Sequence, residues 1–272
     1  EAVPGSAVVL SGATYNIKTT WLPGYKSFAA NGATWDVTVS WVPGGSSIWG
    51  PLVDPYFSNV SLLLNGDAFT DLSANALTVT PNGNASIVSG QGPFGGPAMS
   101  FDGDGDYLSI ASATAWAFGT QDWTIEAWVK LNAYGASPTG TSLFGTVTST
   151  TSGYSINVGS DINGLKVTSN ASGSWTDDLY ASTGNGLSLS QWEFVQITRT
   201  GNTLTIAKNG TVVATKTGVS SYNYASPANS GVIGYYFDSA YSRFLNGLIG
   251  PLRITKGIAR PITLPTAAFP TA

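Results

Sequence analysis

The chain has 272 residues, only 10% of them charged, with a balance of −4; no basic surface is available to neutralise phosphates, which sets nucleic acid aside as a partner. It contains neither Cys nor His, so disulfides, thiolate or imidazole metal sites, a Ser-His-Asp triad and a Cys nucleophile are all excluded. No run approaches the ~20 apolar residues of a membrane-spanning helix, so no membrane insertion is expected, and the polarity comes from Asn, Ser, Thr and Gly, a bias that reads as all-β.

The N-terminal part is repetitive. GATYNIKTTWLPG (12–24) returns as GATWDVTVSWVPG (32–44), a period of twenty residues. In the second copy Trp35, Val37, Val39 and Trp41 alternate with Asp36, Thr38 and Ser40, the pattern of a strand with one buried face. Pro43 and Gly44 then end it, because Pro lacks the ladder donor and Gly tolerates positive φ. One such strand cannot bury its Trp pair alone. Trp21, Trp35 and Trp41 are therefore the candidate oligomer or attachment contacts, with a homo-oligomer, a trimer in particular, as the expected state. Val3-Pro4-Gly5 resembles the end of a preceding copy, so further copies are expected upstream; chance duplication of a hairpin is the plainer alternative.

From about residue 54 the repeat gives way to short strands spaced roughly eight to twelve residues apart, the cadence of a sandwich. The predicted strands are SLLL (61–64), ALTVT (76–80), ASIV (85–88), AMSF (98–101), YLSI (107–110), WTIEAWVKL (123–131), SLFGTV (142–147), YSINV (154–158), LKVT (165–168), WEFVQITRT (192–200), TLTIAKNGTVVATK (203–216) and FLNGLIGPLRIT (244–255). Asn209-Gly210 between two alternating runs signals a two-residue hairpin. The division is thus a strand-repeat region, 1–53, and a β-domain, 54–272.

The blocks SLLLNGDAFTDLSANALTVTPNGNASI, FGGPAMSFDGDGDYLSI, DWTIEAWVKL, QWEFVQITRTGNTLTIAKNG and FLNGLIGPLRITKGIARPITLPTAAFP resemble, in order, those of laminin-G-like, concanavalin A-like jelly-roll domains. The spelling is most similar to the copies carried by bacteriophage virion proteins. The resemblance implies two antiparallel sheets packed face to face, one concave, with ligands bound on the concave face or the rim loops. It does not imply one function, since the fold hosts lectins, adhesion modules, glycan hydrolases and structural caps.

In FDGDGDYL, Asp102, Asp104 and Asp106 alternate with Gly, and hard cations take clustered carboxylate oxygens. With Asp67 and Asp71 they are the candidate ligands of a structural calcium; the alternative is a tight turn with solvated carboxylates. An EF-hand is excluded, because Tyr107 and Ala113 stand where that loop needs Gly and Glu. Relatives carry acidic residues where this chain has Gly250 and Pro251, which removes potential ligands. No catalytic residue is assigned: the only glutamates are Glu1, Glu126 and Glu193, no strand carries carboxylates at alternate positions for a paired-acid mechanism, and the family fills the Glu126 position in domains that are not enzymes. The sequons at Asn59, Asn84, Asn170 and Asn209 read as turn chemistry.

Trp175, Tyr180, Tyr222, Tyr224, Tyr235, Tyr236 and Tyr241 fall in or beside Ser/Gly/Asn-rich loops, where flat rings stack on sugars while amides and hydroxyls bond to them. They are the candidate glycan-binding set, packing over a sandwich edge being the competing role for each. The whole reads as a non-enzymatic virion surface protein, a tail-fibre or receptor-binding segment that recognises host surface polysaccharide and contacts other virion proteins. The alternatives are a capsid-decoration or architectural virion protein, and an extracellular adhesin or carbohydrate-binding module.

Overall fold

The computed structural model describes residues 53–111, 114–134, 141–146, 153–160, 164–170, 172, 174, 176–182, 184–224, 230–236 and 243–272, the side chains of 141, 159, 160, 230 and 236 excepted, and the backbone of 8–11 and 28–31. The chain divides into two compact units, Glu1–Leu52 and Val53–Ala272. In the first, β1 (Val8–Ser11) and β2 (Phe28–Asn31) pair in parallel, with Val8 opposite Phe28 and Ser11 opposite Asn31. That offset equals the sequence period, so equivalent positions of successive copies stand side by side. The strand expected over 35–41, and with it Trp21, Trp35 and Trp41, lies outside the described residues.

The second unit runs through one 3₁₀ turn, Phe57–Asn59, and then strands β3 (Val60–Leu64), β4 (Val79–Asn82), β5 (Ser86–Val88), β6 (Ala98–Asp102), β7 (Tyr107–Ala111), β8 (Trp123–Ala133), β9 (Thr141–Gly145), β10 (Tyr154–Ser160), β11 (Gly164–Ser169), β12 (Thr176–Tyr180), β13 (Glu193–Thr200), β14 (Thr203–Lys208), β15 (Thr211–Thr217), β16 (Ser230–Ile233), β17 (Tyr235–Tyr236), β18 (Arg243–Phe244) and β19 (Asn246–Lys256). They form two antiparallel sheets, the jelly-roll sandwich the sequence leads one to expect. The seven-stranded sheet has the order β12-β11-β10-β9-β16-β7-β4, and the eight-stranded sheet β15-β14-β13-β8-β19-β6-β5. In the latter, β3 joins β19 at Leu252–Thr255, beyond the stretch Asn246–Ile249 that pairs with β6; β17 and β18 form a separate two-stranded ribbon.

Between the sheets lies the core that the alternation calls for. Leu108 and Ile110 of β7, Ile125 and Val129 of β8, Ile156 and Val158 of β10, and Ile249, Leu252 and Ile254 of β19 are buried in it. Its aromatic centre stacks Phe118 on Trp123 at 5.2 Å, with Tyr224 edge-on to Trp123 at 5.2 Å; each ring fully removed from water contributes about 1.5–3 kcal/mol. Gly231 of β16 passes so close that a Cβ would lie 2.8 Å from the Trp116 ring and 2.9 Å from Phe144. Asn209 (φ +51°) and Gly210 (φ +76°) form the expected β14–β15 hairpin, the left-handed pair a type I′ turn requires.

Two features differ from expectation. The strand predicted over 76–80 is displaced to Val79–Asn82, because Asp71 caps the preceding turn and accepts the Leu77 N–H at 2.9 Å. Pro81 is tolerated there because β4 is an edge strand, where a missing donor breaks no ladder bond. In addition β12, β16 and β17 lie in segments too polar, too glycine-rich or too short to show a period of two.

Candidate functional site

The two outer faces of the sandwich are chemically opposite. On the eight-stranded sheet, alternation turns Glu126 and Trp128 of β8, Phe194 and Gln196 of β13, Arg253 and Thr255 of β19 and Leu63 of β3 away from the core, yet all are buried. The residues entering the sandwich and the C-terminal tail cover them. Phe269 packs in a cluster with Val60, Leu63, Trp128 and Phe194; Asp54 N–H donates to the Ala272 carbonyl at 2.8 Å, and Gln196 Nε2 donates to the Pro261 carbonyl at 3.0 Å.

An ionic cluster locks this cover in place. Arg260 donates to both Asp54 oxygens, at 2.9 and 2.7 Å, and Arg253 donates to Asp54 at 2.9 Å and, through Nε, to Glu126 at 2.8 Å. Burial raises the Asp54 pKa, but the hydrogen bonds from Arg260 and the Tyr56 N–H and the charges of both arginines outweigh it, leaving Asp54 below the usual carboxylate range. For Glu126 burial is the stronger influence and holds its pKa above the ordinary value despite the two arginines. Glu126 therefore sits sealed beneath the tail, in a structural role.

The outer face of the seven-stranded sheet is polar. Ser142 of β9 and Ser155 of β10 share a hydrogen bond of 2.8 Å, Ser155 donates to Asn157 at 2.7 Å, and Asn157 donates to Thr168 of β11 at 3.0 Å. Thr168 then donates to Asp177 of β12 at 2.8 Å, and Asp177 pairs with Lys166 at 3.2 Å. Ser142 and Ser155 are fully buried, Thr168 is half-buried and Asp177 exposed, so the row opens toward the β12 edge. Tyr180, 39% exposed, stands at that edge opposite Lys166.

Toward the other edge of the same face, Tyr107 of β7 points outward beside the inward, buried Leu108, and the half-buried Ser109 shares its face. Its ring lies 5.5 Å from that of Tyr235 and 6.3 Å from Phe244, and Tyr235 and Phe244 stack at 4.5 Å. All three rings are half-buried. Beside them Asn82 Nδ2 donates to Ser109 Oγ at 3.1 Å. Seven strands at about 4.8 Å spacing make this face about 29 Å across, room for several sugar rings.

The 102–106 turn borders the aromatic group. Asp106 accepts the Asn84 N–H at 2.7 Å and the Asp102 N–H at 3.0 Å; Asp102 accepts the Asp104 N–H at 2.7 Å and the Asn84 amide at 3.1 Å. The hydrogen bond from the Asp104 N–H, and then that from Asn84, hold the Asp102 pKa below its usual value. Asp71 is occupied likewise, accepting from the Leu63, Ser73 and Leu77 N–H groups and the Ser73 hydroxyl. Asp67 is exposed. Among the described residues no three acidic side chains converge on a metal position, and the expected calcium ligands Asp71, Asp102 and Asp106 serve as turn acceptors.

Of the aromatic set expected from sequence, the structure brings Tyr180 and Tyr235 to the polar face. Tyr222 is half-buried against the core under the Lys216 ammonium, 5.2 Å from its ring. Tyr224 corrects the expectation: it is 1% exposed. Backbone bonds with Gly119 at 3.1 and 2.9 Å draw it inward, and its ring meets Trp123 and Tyr154. Burial, then the neighbouring Asp178, pushes the Tyr224 pKa up, as expected of a core phenol. Trp175, Tyr241 and the Tyr236 side chain lie outside the described residues. Sequence reasoning missed Tyr107, Phe244, Asn157, Thr168 and Asp177; for Tyr107 the signal was present, because alternation in YLSI turns it outward.

Fold and faces together define a two-sheet jelly-roll sandwich with one covered and one polar outer face. A laminin-G family model, described as the concanavalin A-like lectin/glucanases superfamily, matches residues 102–259. The chain belongs to that superfamily. Among curated protein sequences none matches the chain. Among solved structures, domain 4 of AbnA, a GH43 extracellular arabinanase from Geobacillus stearothermophilus solved with arabinotriose, aligns with TM-score 0.57 and 18% identity over 75% of this chain and 95% of its own. The binding domain of Paraclostridial Mosquitocidal Protein 1 aligns at 0.60 and 14% over 76% of this chain and 51% of its own. The binding domain of botulinum neurotoxin DC in complex with SialylT gives 0.56 and 18% over 75% and 49%. The match thus covers about half of each toxin chain, and at these identities the likeness is one of fold.

Proposed function

We propose that the sandwich is a non-catalytic carbohydrate-binding domain whose ligand lies on the outer face of the seven-stranded sheet. The observation that carries this reading is the asymmetry of the two faces: one is sealed by the chain's own tail, while the other carries a polar row that opens at Thr168 and Asp177 and a half-buried aromatic group, with no carboxylate pair set up for catalysis among the described residues. The arabinanase domain and the neurotoxin domain of the same fold were solved with arabinotriose and SialylT, which favours glycan recognition here. The glycan-facing domain, we further propose, is carried by a bacteriophage tail-fibre or receptor-binding segment that trimerises through its repeats. The parallel pairing of β1 with β2 at the repeat period supports a stacked, shaft-like N-terminal region.

The test is retention of the fluorescently labelled chain on a panel of bacterial strains, alongside light scattering for its oligomeric state. Host-specific retention abolished by periodate oxidation of the cell surface supports the reading. Binding to capsids or tail tubes, with no retention on cells, refutes the receptor-binding role in favour of an architectural one.

A further inference from the structure

The charge on the polar face narrows the class of glycan, given that the face binds glycans at all. Of the Lys and Arg residues of 53–272, only Lys166 and Arg243 lie on the seven-stranded sheet or its adjoining ribbon; the others are on the eight-stranded sheet or the C-terminal tail. Lys166 has a side chain only 6% exposed and is neutralised by Asp177 at 3.2 Å. Arg243, next to Phe244, is 9% exposed. No guanidinium or ammonium therefore stands ready to clamp a carboxylate or sulfate, the device by which proteins hold anionic ligands.

The charges that do reach solvent here are negative. The Asp177 side chain is 48% exposed, Asp102 and Asp104 are exposed at the turn beside the aromatic group, and the chain as a whole carries −4. An acidic polysaccharide approaching this face meets repulsion and no cation to repay its desolvation. An uncharged one loses nothing: its ring faces cover Tyr107, Tyr235 and Phe244, and its hydroxyls reach carboxylates and amides that accept and donate.

We infer that the ligand is a neutral polysaccharide, its rings seated on Tyr107, Tyr235 and Phe244. It is not a sialylated, sulfated or uronic-acid chain. This rests on the glycan-binding reading above, and the test separates the two. The full chain is run in native gels containing neutral polysaccharides (dextran, mannan, linear arabinan) or acidic ones (polysialic acid, alginate, heparin), at about 0.1 M and about 1 M salt, over which the Debye length falls from about 10 to about 3 Å.

The expected result is retardation by a neutral polymer, unchanged by salt and weakened about tenfold in Tyr235→Leu and in Tyr107→Leu, each checked for an unaltered melting curve. Retardation by acidic polymers alone, fading with salt, overturns the neutral assignment and leaves glycan binding standing. Neutral binding that survives both substitutions overturns the seating on these rings. Retardation by neither group overturns the glycan-binding reading and this inference with it.

Discussion

Replacing Asp54 with Asn tests how the cover over the eight-stranded sheet is held. The side chain keeps its size but loses its charge, and Arg260 loses a two-pronged carboxylate at 2.9 and 2.7 Å. Two arginines balanced by two carboxylates become two balanced by one, in a cluster whose side chains are 2–10% exposed. Removing one partner of a buried pair costs about 3–5 kcal/mol. For a unit of this size, at about 2–4 °C per kcal/mol, that lowers Tm by about 6–20 °C. The double replacement Asp54→Leu with Arg260→Met, which leaves no orphan charge, is expected to be milder than either single change.

The pH dependence follows from the sign of the shift. The pKa of Asp54 is lower folded than unfolded, so its stabilisation is complete above its unfolded value near 4 and is lost as pH falls through the folded pKa. The gap between wild type and Asp54→Asn should be constant around neutrality and close below about pH 4. Glu126, with its pKa raised, works in the opposite sense, but it is present in both proteins. Chemical denaturation between pH 2.5 and pH 7 measures the difference. A gap below about 1 kcal/mol at pH 7, the size typical of an exposed pair, would mean that water reaches the cluster and that the tail is not sealed.

Three further outcomes are expected. Gly231→Ala forces a methyl within 3 Å of the Trp116 and Phe144 rings and should cost about 1–3 kcal/mol by overpacking; thermal melting checks it, and an unchanged Tm would show that those rings move aside freely. Asp71→Ala strips the acceptor from four donors, two of them the buried N–H groups of Leu63 and Ser73, and should cost about 3 kcal/mol in denaturant titration. Chelation should leave Tm unchanged, because Asp71, Asp102 and Asp106 already accept N–H donors; a drop in Tm with EDTA, reversed by calcium, would contradict the turn assignment.

Local chemistry was legible in the sequence wherever one strand or one turn decided the outcome. The alternation in WTIEAWVKL, the Asn209-Gly210 hairpin and the Asp-Gly turn of FDGDGDYL all have causes within a few residues. What was not legible depends on partners far along the chain. Arg260 meets Asp54 across 206 residues and Arg253 meets Glu126 across 127, and no pattern near Asp54 announces either. Tyr224 sits among Ser, Asn and Ala as a rim residue would, and only its bridge to Gly119 carries it into the core. The polar row is invisible for the same reason: Ser155, Asn157, Thr168 and Asp177 are ordinary residues on three strands until register aligns them.

The cover over the eight-stranded sheet follows from where its last strand lies. The last strand, β19, occupies the middle of the eight-stranded sheet between β8 and the β3/β6 pair, so the chain leaving it can only turn back across that sheet's outer surface. Residues 53–59 enter beside it through β3 and meet the tail at Ala272. The outward positions there are suited to being covered: Trp128, Phe194 and Leu63 would cost about 1.5–3 kcal/mol each if left in water, and the tail supplies Phe269 to bury them. On the other sheet the described outward positions are mostly polar, Ser142, Ser155, Asn157, Lys166, Thr168 and Asp177 among them. They satisfy one another by hydrogen bonds, so this face lacks the apolar surface that Trp128, Phe194 and Leu63 give the other.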